Sequence, residues 1–263
     1  MVAAPIRHAE GGDLRRAQGE FEALLARSDP DAASDLLTAF GIGLWTTFPE
    51  RDEEELRYRR AALLYLERAI PAAAARFGPD HPEVALVLHT YGDALRQASA
   101  GDPPRAVDRA LARAYLIRAR ALGLRDRETI SGLYAFAEVR GLPSRTAGDP
   151  RRIDRVGQMY EDVIRVREAN PDPDAIGPEQ VRSRQLEMFV RNGRVVKALE
   201  VARSADVGSR DRMPGCEIGP NRRALADILL RGGRKAAARA VVRPSSPQPP
   251  GCGVDDVFTG LDS

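Results

Sequence analysis

Residues 61–95, AALLYLERAIPAAAARFGPDHPEVALVLHTYGDAL, leave this chain few choices of fold. Leu63, Leu66, Ala69 and Ile70 recur at three- and four-residue spacing. Arg59, Arg60, Glu67 and Arg68 fall on the opposite side, so the stretch is an amphipathic helix. Gly78 ends it, since a glycine just past a helix takes the left-handed conformation at no steric cost. Asp80 or His81 then caps a second helix. Pro82 suits its first turn, and Glu83 complements the positive end of its dipole. Leu88, Tyr91, Gly92 and Leu95 form the apolar stripe of that helix, with Gly92 small enough to admit a close neighbour.

Weaker copies of this helix-turn-helix unit fill most of the chain. Proline or an acidic cap opens each at Pro30, Pro82, Asp126, Pro178 and Pro220. Gly101, Gly148, Gly193 and Gly233 mark internal turns at spacings of 47, 45 and 40 residues. Two landmarks with a shared period indicate a repeat architecture. Composition agrees: the chain is 43% hydrophobic, rich in alanine and only 5% aromatic, which favours close-packed helices over sheets. No apolar run is long enough to span a membrane.

The phrase Phe77-Gly78-Pro79-Asp80-His81-Pro82-Glu83-Val84-Ala85, with Ala62, Ala69-Ile70 before it and Tyr91-Gly92 and Leu95 after it, resembles the tetratricopeptide repeat (TPR). The likeness is to the long variety found in kinesin light chains. It implies an all-α fold, a right-handed α-α superhelix of about five degenerate helix pairs. We place the repeat domain at 1–242, with a partial repeat at 1–29 and pairs at 30–78, 79–123, 124–170, 171–207 and 208–242.

At the N-terminus a second-type helix is expected around Ala17, Phe21 and Leu24. Its partner is expected to be nearly absent, because only 2–10 is available and Pro5 interrupts it. The next pair is expected as helices over 31–48, bearing the single tryptophan Trp45, and over 52–77. Later helices are expected from Pro82 to about Ser99, from Pro104 to about Leu122, and from Asp126, with an insertion at 141–150 before the partner helix. The segment 243–253, RPSSPQPPGCG, reads as a mobile tail, and Val254, Val257, Phe258 and Leu261 beyond it as a short docking segment.

Net charge is +2, and only Lys197 and Lys235 among the 40 basic residues are lysine. Acidic residues interleave the arginines, so the bias reflects a GC-rich coding sequence rather than a nucleic-acid surface. Cys216 and Cys252 lie 36 residues apart. Paired, as export would allow, they would stabilise by ~4 kcal/mol in the chain-entropy model; in the cytosol they are free thiols. No signal peptide follows Met1, so the chain reads as cytoplasmic as given, and as periplasmic or secreted if a leader has been trimmed upstream.

Catalytic patterns are missing. His8, His81 and His89 have no metal-site spacing, Gly232-Gly233-Arg234-Lys235 is no phosphate loop, and Gly41-Ile42-Gly43 is too short for a dinucleotide fingerprint. No enzyme activity and no cofactor are expected. In the family this chain resembles, first helices line a concave groove that takes a protein or peptide. The faces beside the packing stripes then nominate His89, Asp93, Arg96 and Gln97, with Thr38, Ile42 and Trp45 one pair earlier. Tyr134 and Glu138, then Arg184, Met188 and Arg191, follow in later pairs. The expected function is a non-catalytic protein-interaction scaffold. Two other readings fit the sequence: an exported assembly protein with a C-terminal disulfide, and the sensor half of a larger regulator.

Overall fold

The computed structural model describes residues 2–46, 52–99, 101–172, 175–208 and 219–242. Side chains are described over the same ranges except at 52–54, 207 and 208. Helices account for all the regular structure there. They divide into two compact units, one ending at Val139 and the other beginning at Arg140.

The first unit holds α1 (Ala3–Glu10), α2 (Leu14–Leu25), a 3-10 turn at Pro30–Ala32, α3 (Ala33–Thr46), α4 (Asp52–Phe77), α5 (Pro82–Gln97), α6 (Arg105–Ala121) and α7 (Arg127–Arg140). The second holds the four-residue α8 (Pro143–Thr146), α9 (Pro150–Ala169), α10 (Pro178–Arg191), α11 (Val195–Gly208), α12 (Pro220–Arg231) and α13 (Lys235–Val242). The predicted third pair is therefore shared between the units, α7 in one and α9 in the other.

Local chemistry explains the boundaries. Pro82, Pro150, Pro178 and Pro220 each open a helix, where a missing N–H costs nothing. Asp13, Asp126 and Asp149 accept backbone N–H bonds at 2.9–3.0 Å as caps. His81 rather than Asp80 caps α5: its Nδ1 accepts from the N–H of Glu83 at 3.2 Å, and its ring stacks on Phe77. Pro71 sits on the solvent side of α4, so the carbonyl it leaves without a helical donor can turn to water.

One expectation fails. The first helix of the N-terminal pair does form, as α1, because Pro5 is its third residue and needs no helical donor there. Ala9 of α1 is buried, and its carbonyl accepts from the Tyr58 hydroxyl at 2.7 Å. Gly101, with Pro103 and Pro104, marks the break between α5 and α6 as expected, and does so without the left-handed conformation. Gly193 and Gly233 do take it, at φ of 73° and 71°. At each, the glycine N–H and the following arginine N–H return to the last carbonyls of the helix, at 2.8–3.0 Å. The predicted segments 243–253 and 254–261, and parts of 31–48 and 170–174, lie outside the described residues.

Aromatic packing centres the first unit. Phe21 of α2 stacks on Phe40 of α3 at 4.0 Å, and Tyr65 of α4 meets both edge-on at 5.2 and 4.9 Å. Three helices thus share one contact, and all three rings are buried. Arg68 lies over the Tyr65 ring and pairs with Glu22, which holds the Glu22 carboxyl below its usual range. Small residues let helices close on each other: a side-chain carbon placed at Gly92 would lie 2.9 Å from Leu111 Cδ2, and one at Gly41 2.8 Å from Leu66 Cγ.

Buried polar groups tie the second unit. Gln185 Nε2 donates to the Gly157 carbonyl at 3.0 Å and to Glu161 at 2.8 Å, joining α10 to α9. Asn192 reaches Gly141 O at 2.8 Å and accepts from Thr146 Oγ1, which pins α8 to the end of α10. Asp206, at the end of α11, accepts from the N–H groups of Asn221 and Arg222 at 2.8 and 3.2 Å, so α11 caps α12. Arg222 in turn ties α12 to α13 by donating to Val241 O at 3.1 and 2.7 Å.

Two stability changes follow. Gly92→Leu forces its side chain into Leu111 and should cost roughly 1–3 kcal/mol, read as a lower denaturant midpoint; an unchanged midpoint would contradict the packing. Asp206→Ala removes the cap of α12 and should cost about 0.5–2 kcal/mol, with loss of exchange protection concentrated in α12.

Candidate functional site

In α5 the stripe Val84, Ala85, Leu88 and Gly92 is buried, and His89, Asp93 and Arg96 stand beside it, half-buried. Asp93 is the hub of this face. Its Oδ1 accepts from Arg96 Nε at 3.1 Å and Nη2 at 2.7 Å, while Oδ2 accepts from Gln97 Nε2 at 2.6 Å. The three form one ordered, partly exposed donor-acceptor group a single helical turn in length.

His89 differs from its neighbours. Its Nδ1 is buried with no hydrogen-bond partner. Burial first, and then the charge of Arg118, lowers its pKa from the ordinary 6.5; Arg96 acts in the same direction, and Asp93 and Glu128 oppose. The ring is held neutral. Arg118, from α6, is only 3% exposed, pairs with Glu128 Oε2 at 3.3 Å and donates to the Glu128 carbonyl at 3.2 Å. The sequence reading missed Arg118. The signal was there, since Arg118 interrupts the apolar stripe of Leu111, Ala114 and Ile117.

On α3 the matching positions are Thr38, Ile42 and Trp45, aligned by the equivalent close-approach glycines Gly41 and Gly92. Thr38 Oγ1 is buried without a partner, Ile42 is exposed, and Trp45 packs partly on the core. The guanidinium of Arg59, on α4, lies 5.4 Å from the Trp45 ring centre and donates to Gln97 O at 3.3 Å. Arg59 therefore connects Trp45 with the end of α5, a link that no spacing within one helix reveals. Tyr134 and Glu138 on α7 are half-buried.

In the second unit Arg184 and Arg191 are exposed and flank Glu187, at 3.1 and 2.5 Å. Met188 is a correction: it is 4% exposed and belongs to the core. α10 packs against α9, α11 and α12, so burial extends over Val181, Gln185, Leu186, Met188, Phe189 and Val190, while Arg184, Glu187 and Arg191 keep to the solvent side.

Among the described residues no three His, Cys, Asp or Glu side chains are grouped to hold a metal ion, and no helix is long and apolar enough to cross a membrane. His8 pairs with Glu20 at 3.2 Å, and His81 serves as a cap. Cys216 and Cys252 lie outside the described residues.

The neutral state of His89 gives the fold a pH dependence. The unfolded chain binds a proton near pH 6.5 that the folded chain refuses, so stability should fall as pH drops below that value. His89→Gln should flatten this part of the melting-temperature profile between about pH 7.5 and 5.5. An identical profile in the variant would show that His89 is not the group responsible.

No family profile and no curated protein matches the sequence. Solved structures do match. One, from Podosopora anserina, is of nearly identical TPR-like repeats assigned to a kinesin light chain; it superposes with a TM-score of 0.54 at 13% identity, covering 88% of this chain and 97% of that one. A substituted form of the same protein gives a TM-score of 0.53 at 13% identity over 89% and 96% of the two chains. In fold, this chain is a TPR-like helical-repeat solenoid.

Proposed function

We propose that the chain is a non-catalytic protein-interaction scaffold that takes a peptide or protein segment on the face shared by its first helices. The observation that carries this reading is the Asp93–Arg96–Gln97 group on α5. Donors and a carboxylate are fixed there at the surface without serving the core, and such preformed polar groups bind with little ordering cost. Ile42 and Trp45 at the matching positions of α3 offer apolar contact beside them, the combination of anchor and polar rim that peptide sites use. TPR-like repeats commonly serve as interaction scaffolds, which agrees with the fold found here. In the second unit Arg184 and Arg191 are the corresponding exposed positions on α10.

The test compares wild type with Asp93→Ala/Arg96→Ala as bait in affinity capture from the source lysate. Circular dichroism must first confirm that the variant is folded. The expected outcome is a protein retained by wild type and weakened by at least about tenfold, some 1.4 kcal/mol, in the variant. Equal retention by both baits would place binding on another face.

A further inference from the structure

The second unit carries a surplus of positive charge: residues 140–263 include 22 basic and 17 acidic side chains, whereas residues 1–139 include 18 and 21. The contacts of this unit show where part of that surplus collects. Asp206 joins the end of α11 to the start of α12, so the α10–α11 and α12–α13 turns share the opposite end of the stack. Arg194 in the first of these turns lies 4.0 Å from Asp154, near the start of α9, which brings α9 to the same end.

The two turns differ in how their cations are used. Around α10–α11, Arg191, Arg194 and Lys197 all face carboxylates, at 2.5, 4.0 and 3.5 Å. Around α12–α13, Arg231, Arg234 and Lys235 are exposed, and none has an ion-pair partner among the described residues. Arg234 and Lys235 also stand at the start of α13, where cations oppose the helix dipole and so do not serve folding. Val196, in the first turn of α11 at this same end, is 74% exposed. The two aromatic rings described in this unit, Tyr160 and Phe189, are buried, so among the described residues no aromatic ring is presented to stack a nucleic-acid base.

We propose that this end of the second unit is a docking surface for an acidic peptide segment that also bears an apolar side chain. Arg231, Arg234 and Lys235 receive its carboxylates, and Val196 meets the apolar residue. This surface is separate from the α5 face and stands whether or not that face binds.

The chain supplies its own reporter, because Lys197 and Lys235 are its only side-chain amines. A carbodiimide activates a peptide carboxylate, and attack by a docked lysine amine forms an amide and releases the urea. The probe is a short N-acetylated peptide of glutamates interrupted by leucines, with a fluorophore for anisotropy. Cross-linking to the full chain should concentrate on Lys235. Affinity should fall at least about tenfold in Arg231→Gln/Arg234→Gln/Lys235→Gln and change less than about twofold in Arg165→Gln/Arg203→Gln/Arg223→Gln, which removes equal charge elsewhere on the unit. Cross-linking confined to the N-terminal amine, equal losses in both variants, or tighter binding of single-stranded oligothymidylate than of the peptide would each overturn the proposal. The cross-link map on the unaltered chain decides the matter even if a variant does not fold.

Discussion

Close approach of neighbouring helices is the constraint on which the rest of this structure depends. Gly92 against Leu111, Gly41 against Leu66 and Gly157 against Phe189 leave no room for a side chain on the glycine partner. A chain so rich in alanine and poor in aromatics has few large groups with which to fill wide gaps between helices. It closes the gaps instead, and gains dispersion contacts over long stretches of backbone. The Phe21, Phe40 and Tyr65 cluster is the exception, set where α2, α3 and α4 converge.

Polar groups complete what shape alone leaves open. In the second unit, where each apolar stripe is short, Gln185, Asn192, Asp206 and Arg222 each commit a side chain to the backbone of a neighbouring element. Such bonds are directional, so they fix the register of one helix against the next and not merely its burial. The division of labour has a functional corollary. Most polar side chains inside the stack are consumed by structure, and the groups proposed for a partner stand nearer the surface: Asp93, Arg96 and Gln97 on α5, and Arg231, Arg234 and Lys235 around the α12–α13 turn.

His89 and Arg118 stand between these two kinds. His89 lies beside the apolar stripe of α5 and Arg118 within that of α6, and packing takes water from both, leaving the imidazole neutral and the guanidinium paired with Glu128. The face proposed to hold a partner and the face that holds a neighbouring helix meet here, at Leu88 and His89 of α5.

By itself the sequence determined the all-α, TPR-like class and where most of the helices start and stop. These follow from signals local to a few residues: a three- and four-residue apolar period, proline at a first turn, an aspartate or His81 as cap, a glycine at a helix end. Where local chemistry was read too bluntly, as with Pro5, the prediction failed: α1 forms where it was expected to be nearly absent. Only the tertiary structure decided which of the nominated side chains are buried and which reach the surface. Periodicity gives a helix two faces, but α10 has neighbours on three sides, so Met188 is lost to the core although it lies next to the exposed stripe. Arg59 reaching Trp45 and Gln97, and Arg118 reaching Glu128, join residues from different helices. Such contacts depend on how helices stack, a property that no window along one helix contains.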